Sequence, residues 1–109
     1  SYWADGLIIA TPTGSTAYSL SCGGPIIMPG SGNFVITPIS PHNLNVRPLV
    51  VSENITLRLK IESSNEKFIL SCDSKSETLN TDTELTIKKA PFYFWKHLKL
   101  SGTKKILYL

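Results

Sequence analysis

The sequence predicts a mainly β, sandwich-like domain of short, mostly antiparallel strands with one short helix after the first strand. Three observations carry this. Ile55, Leu57, Leu59 and Ile61 alternate with Thr56, Arg58 and Lys60, the period of two that places apolar side chains on one face of a strand. Further short β-prone runs recur along the chain with polar breaks between them, a pattern of many short strands packed in layers. The seven Gly and seven Pro are dispersed, so they read as turns of a folded domain and not as a low-complexity tract. At 109 residues and 41% hydrophobic content the chain is long enough to bury a core as one unit.

The elements follow in order. Leu7 to Ala10 is apolar and β-prone and runs into Thr11-Pro12-Thr13-Gly14, where Pro fixes φ and Gly permits φ > 0, so a buried strand enters a tight loop. Ser15 or Thr16 is placed to cap a helix of about two turns through Tyr18, Leu20 and Cys22, which Gly23-Gly24-Pro25 stops. So short a helix must be held by packing. Phe34 and Ile36 begin a strand that Pro38, Pro41 and Pro48 should confine to short or edge segments. Leu49 to Val51 supplies another. After the alternating 55–61 run, Ser63-Ser64-Asn65 is a polar break and Lys67 to Cys72 returns as a strand, which predicts an antiparallel hairpin between the two. Leu85 and Ile87 mark a further strand, and Phe92 to Trp95 and Ile106 to Leu109 are apolar enough to close the core.

Composition narrows the function. There is no long apolar run and no basic, hydrophobic leader at the start, so a cytoplasmic chain with no membrane partner is expected. Cys22 and Cys72 have no second Cys or His at metal-ligand spacing; buried thiols are the expectation. His42 and His97 come without the sequence neighbours of a metal site or a nucleophilic triad, so neither a metal site nor a catalytic residue is assigned. The formal charge of +3 is a mild excess that could attract an anionic ligand such as a nucleotide. Lys88, Lys89, Lys96, Lys99, Lys104 and Lys105 interleave with Phe92, Tyr93, Phe94 and Trp95. No helix-turn-helix, zinc-finger or RNA-recognition signature accompanies them, so nucleic acid is not expected as a partner.

The informative stretch runs from Asp5 to Pro25. It reads as a strand, a Gly- and hydroxyl-rich turn and a helix amino terminus, an arrangement that suits a polar or anionic ligand. Thr13, Ser15 and Thr16 offer hydroxyls that donate and accept, and Tyr18 offers an aromatic face with a polar tip. The loop lacks the Gly-Lys-Ser/Thr of a Walker A sequence. Residue by residue, the plain structural reading is the favoured one: Asp5 and Gly6 make a turn, Thr13 and Ser21 cap backbone, and Tyr18 fills core.

The run Asp5-Gly-Leu-Ile-Ile-Ala-Thr-Pro-Thr-Gly-Ser-Thr-Ala-Tyr-Ser-Leu-Ser closely resembles the signature of the NAD kinase family. Ile36-Thr-Pro-Ile-Ser-Pro-His-Asn-Leu44, followed by Arg47-Pro-Leu-Val-Val51, resembles the family's next block. The resemblance implies that residues 1–109 form the carboxy-terminal, NAD-binding domain of an enzyme that assembles as a homodimer or homotetramer. That enzyme moves the terminal phosphoryl group of ATP, or of polyphosphate in some members, with Mg²⁺, onto the 2′-hydroxyl of the adenosine ribose of NAD, giving NADP. Carried onto this chain, Asp5 would contact the nicotinamide end, often across a subunit interface, and Thr13, Thr16, Ala17, Tyr18 and Ser21 would line the adenine and ribose side. Where the family tends to have Asp-Gly-Gln, this sequence has Asp73-Ser74-Lys75. Asp73 is carried over as an NAD contact, its two neighbours depart from the pattern, and a plain Asp-initiated turn is equally open there.

Phosphoryl transfer needs a cradle for the donor phosphates and a base near the acceptor hydroxyl. The family supplies both from an amino-terminal α/β domain with a Gly-Gly-Asp-Gly loop and an Asn-Glu pair. No Gly-Gly-Asp-Gly occurs in this sequence, and Asn65-Glu66 falls in a late polar turn. The expectation is therefore a chain without that catalytic domain and without kinase activity of its own. Two other readings stand beside it. One is a non-catalytic dinucleotide-binding or assembly module. The other is a related lipid-kinase branch, which Thr11-Pro-Thr-Gly-Ser-Thr-Ala-Tyr18 matches less specifically.

Overall fold

The computed structural model describes residues 2–62, 66–72, 75–82, 84–89, 101–102 and 107–108. Strand β1 (Gly6–Ala10) leads through a 3-10 turn (Thr13–Thr16) into the one-turn helix α1 (Tyr18–Ser21). Eight strands follow: β2 (Asn33–Ile39), β3 (Leu49–Ser52), β4 (Leu57–Leu59), β5 (Lys67–Cys72), β6 (Lys75–Asn80), β7 (Leu85–Ile87), β8 (Ser101–Gly102) and β9 (Leu107–Tyr108). They form a six-stranded sheet in the order β3-β2-β1-β9-β5-β6 and a three-stranded sheet in the order β4-β7-β8. Neighbours are antiparallel except that β9 runs parallel to both β1 and β5. The mainly β, sandwich-like architecture with one short helix after the first strand is as the sequence predicts.

Strand β1 sits centrally and is buried on both faces, which is why its sequence is a continuous apolar run with no alternation. Its inner face carries Ile9, which joins Phe34 and Ile36 of β2, Phe68 and Leu70 of β5, and Leu85 and Ile87 of β7 in one cluster. Those residues come from both sheets, so the cluster is the filling of a sandwich. Burial of each such aliphatic side chain contributes about 1.5–3 kcal/mol. The outer face carries Ile8 and Ala10, which pack with Val35, Cys22 and Ile27. The 3-10 turn, α1 and the segment after them thus form a lid over β1 and β2.

Three strand expectations are corrected. The 55–61 run and the 67–72 run do not form a hairpin: β4 pairs with β7, while β5 pairs with β6 from Lys67↔Asn80 to Cys72↔Lys75. Only residues 73 and 74 separate β5 from β6, and so short a connection closes at less entropic cost than the longer polar break before β5. Ile55 lies outside β4 and is exposed, whereas the alternation holds from Leu57 through the buried Ile61. Pro38 does not interrupt β2, which runs seven residues through it in the interior of the sheet. Pairing with β3 ends at Ile36, so the stretch holding Pro38 has a ladder on the β1 side only and the missing N–H is tolerated. Phe92 to Trp95 lie outside the described residues, and β9 within the 106–109 run takes a central place in the larger sheet.

Cys22 and Cys72 form no disulfide; each is half-buried, one against the outer cluster and the other against the inner one. Among the described residues no helix is long and apolar enough to cross a membrane.

Candidate functional site

The turn after β1 sorts its hydroxyls into two sets. Ser15 and Ser19 are buried at 0% and 1% exposure, whereas Thr13, Thr16, Ala17 and Ser21 are exposed and Tyr18 is 46% exposed. The two serines belong to different segments, Ser15 to the 3-10 turn and Ser19 to α1, with the non-helical Ala17 (φ −94°, ψ −127°) between them, and both are turned inward.

The buried set is fully committed. Ser15 Oγ donates to the carbonyl of Pro12 at 2.6 Å and accepts from the Ile27 N–H at 2.9 Å, bridging the start of the turn to the segment that returns over it. Ser19 Oγ and Thr37 Oγ1 lie 2.9 Å apart in a hydrogen bond from α1 to the centre of β2. Directly above them the Gly24 N–H donates to the Ser19 carbonyl at 2.8 Å. A Cβ on Gly24 would stand inside contact distance of Ser19 Oγ and 2.7 Å from Thr37 Oγ1, so the backbone passes where only glycine fits.

Two expectations for this turn are corrected. Neither Ser15 nor Thr16 caps α1: the capping position is Ala17, with no side-chain hydrogen bond, and the 3-10 turn likewise has none. Ser15 is drawn under the turn, and Thr16 Oγ1 donates back to the Thr13 carbonyl at 3.2 Å. The expected ring of outward, unpaired N–H groups is also reduced. Gly14 N–H donates to Thr11 Oγ1, Ser15 N–H to the carbonyls of Thr11 and Pro12, and Ala17 N–H to the carbonyl of Gly14. The exposed side chains of the turn and helix are the hydroxyls of Thr13, Thr16 and Ser21 together with Ala17, the Tyr18 ring and Leu20. Ser15, named among the ligand-facing hydroxyls from sequence, faces inward, and Tyr18 does not fill the core.

Asp5 stands apart from this face. It precedes β1, and the extended chain from Asp5 to Thr11 spans about 20 Å at ~3.3 Å per residue, so one protomer presents the two at opposite ends of a strand. Around Asp5 the structure gathers two residues that sequence reasoning did not connect with it. His42 Nε2 lies 3.5 Å from Asp5 Oδ1, the Trp3 ring lies 5.8 Å from the His42 ring, and the His42 N–H donates to the Trp3 carbonyl. The pairing of β1 with β2, which sets Gly6 opposite Ile39, brings them together. Asp73 lies outside the described residues. Among the described residues no group of three or more His, Cys, Asp and Glu is placed to hold a metal ion.

Residues 1–98 match the sequence profile of the ATP-NAD kinase C-terminal domain. The chain belongs to the NAD kinase family. It is 60% identical over 92 residues to the NAD kinase of Christiangramia forsetii, covering 84% of this chain and 31% of that protein. It is 54% identical over 92 residues to the NAD kinase of Cytophaga hutchinsonii, covering 84% and 32%. A crystal structure of yeast NADH kinase complexed with NADH superposes with a TM-score of 0.53 at 52% identity, over 56% of this chain and 18% of the yeast chain. The chain thus spans about a third of the length of these NAD kinase relatives. The Asp5–Pro25 motif and the Ile36–Val51 block both fall within the matched region.

Proposed function

We propose that this chain is the NAD-binding carboxy-terminal domain of a cytoplasmic NAD kinase. The observation that carries the reading is the exposed set of Thr13, Thr16, Ala17, Tyr18 and Ser21 on a turn that Ser19 ties to β2 through Thr37 and Ser15 ties to the returning segment at Ile27. Hydroxyls that donate and accept suit a ribose and its phosphates, and a half-exposed phenol suits an adenine. The membership of the NAD kinase family, and the NADH held by the yeast relative, support the dinucleotide as the ligand. Whether NAD or NADH is preferred is decided by the nicotinamide ring, which this face does not meet.

In the whole protein the phosphoryl group of ATP or polyphosphate passes to the 2′-hydroxyl of the adenosine ribose, giving NADP. The donor, its Mg²⁺ and the base enter through an amino-terminal domain; this chain binds and orients the acceptor. Asp5 meets the nicotinamide end from a second copy of the chain, since about 20 Å of strand separates it from the turn of its own protomer. The functional unit is accordingly a homo-oligomer.

Calorimetric titration with NAD, together with solution mass measurement, tests this reading. The 109-residue chain is expected to bind NAD as a dimer or larger assembly and to make no NADP from NAD and Mg-ATP. Absence of binding at millimolar NAD, or NADP formed by the chain alone, would overturn it.

A further inference from the structure

We propose that Ser15, Ser19 and Thr37 are positioning residues of the dinucleotide site: their buried hydroxyls set the rotation of the 13–21 ribbon and so aim Thr13, Thr16 and Tyr18 at the ligand. The proposal rests on the reading of that exposed face as the NAD site.

The side of the ribbon that faces the sheet is packed over the apolar residues Ile8, Ala10 and Val35, yet its two most buried side chains are serines. Burying a hydroxyl is unfavourable unless it is hydrogen-bonded, and a bonded pair adds little over two well-packed apolar groups. Burial alone would be served by alanine or valine. Hydroxyls add direction. An apolar face can slide or roll over a sheet, whereas the 2.9 Å bond from Ser19 Oγ to Thr37 Oγ1 fixes one point on the sheet and the 2.9 Å bond from the Ile27 N–H to Ser15 Oγ fixes a second on the returning segment that packs over the same outer cluster. The points lie four residues apart, one under the 3-10 turn and one under α1, and two points fix the rotation of a ribbon. Rotation matters here because the ribbon is too short to hold itself and no side chain caps either of its segments. A roll about its axis would carry Thr13, Thr16 and Tyr18 together, since all three ride on the same few residues.

Thr37 anchors the arrangement from outside the motif. It is 0% exposed and sits opposite Ile8 in the β1–β2 ladder, so its position is set by the sheet. Gly24 closes the pair from above, with its N–H on the Ser19 carbonyl and no room for a side chain.

Two variants separate positioning from plain stabilisation. Ser19→Ala combined with Thr37→Val removes both hydroxyls and keeps the shape of the threonine. Its thermal midpoint should stay within about 5 °C of wild type, while NAD affinity falls about ten-fold or more because the ribbon is no longer held in one rotation. Thr37→Ser keeps the hydrogen bond and loses a buried methyl. Its midpoint should drop by about 4 °C or more, while NAD affinity stays within about two-fold of wild type. A purely structural role predicts that affinity follows the midpoint in both. If it does, or if the double variant binds NAD as wild type does, the proposal is overturned. Should the wild-type chain bind no NAD, the reading of the face fails. Amide hydrogen exchange over residues 13–21 then decides the positioning claim: faster exchange there in the double variant, with the sheet unchanged, supports it, and unchanged exchange overturns it.

Discussion

Adding one methyl group at Gly24 should be among the most damaging small changes in this chain. A Cβ there would stand inside contact distance of Ser19 Oγ, 2.7 Å from Thr37 Oγ1 and 2.8 Å from the Ser19 carbonyl oxygen. The first two atoms belong to a buried pair that is already hydrogen-bonded, and the third is helix backbone, so none can yield without breaking a bond. Overpacking of this kind costs about 1–3 kcal/mol, and the backbone contact places Gly24→Ala at about 2–3. With an unfolding entropy of about 2.1 cal/mol/K per residue, a chain of 109 residues should lose about 9–13 °C of thermal midpoint, read by circular dichroism. Gly23→Ala is the control. A Cβ at Gly23 meets nothing within 4 Å, and the penalty is only that of its φ of 84°, about 1–2 kcal/mol for a non-glycine residue. A Gly24→Ala midpoint within about 2 °C of wild type would refute the argument for close approach, as would a Gly23→Ala loss larger than that of Gly24→Ala.

Other expectations follow from the same contacts. Ser15→Ala leaves the Ile27 N–H without its acceptor and should destabilise by about 1–3 kcal/mol in urea titration. Asp5→Asn should change stability by less than about 0.5 kcal/mol, because Asp5 and His42 are both well exposed, yet it should weaken NAD binding in calorimetry of the assembled chain. Tyr18→Ala removes a half-exposed ring and should likewise spare the midpoint while lowering NAD affinity, by about 1–3 kcal/mol if the ring stacks on the base. Leu85→Ala, at a site with 0% exposure in the inter-sheet cluster, should cost about 2–5 kcal/mol. Dithiothreitol should leave the midpoint unchanged, since Cys22 and Cys72 occupy opposite faces of the large sheet and form no disulfide.

What the sequence revealed and what it hid divide along physical lines. Strand β1 was legible because burial on both faces leaves an unbroken apolar run, and β7 because Leu85 and Ile87 flank an outward Thr86. Alternation identifies a face and not a partner, which is why the 57–61 pattern was readable while its pairing with β7 was not. Strand β6 carried no signal: Lys75–Asn80 is an edge strand with five exposed residues and the half-buried Leu79, so hydrophobicity had nothing to mark. At the candidate site the motif located the turn, but treating its hydroxyls as one set obscured their division. Ser15 and Ser19 sit in two short segments with the non-helical Ala17 between them, so no single helical period in the sequence marks them as one face. Thr37 was not recoverable either, because its contact with Ser19 depends on the register of β1 with β2. Gly24 read as a helix stop, whereas the structure uses it for close approach. The approach of His42 to Asp5 and Trp3 was hidden for the reason that hid Thr37: strand pairing, and not sequence proximity, brings His42 to them.

The dinucleotide should bind on the outward face of the 13–21 ribbon. Titration of isotope-labelled chain with NAD, followed by amide and side-chain resonances, tests it most directly. Shifts should concentrate at Thr13, Thr16, Ala17, Tyr18 and Ser21, with a second group at Asp5 if a neighbouring copy completes the site. Saturating NAD that left those resonances in place, or that moved only the β5–β6 hairpin, would contradict the account.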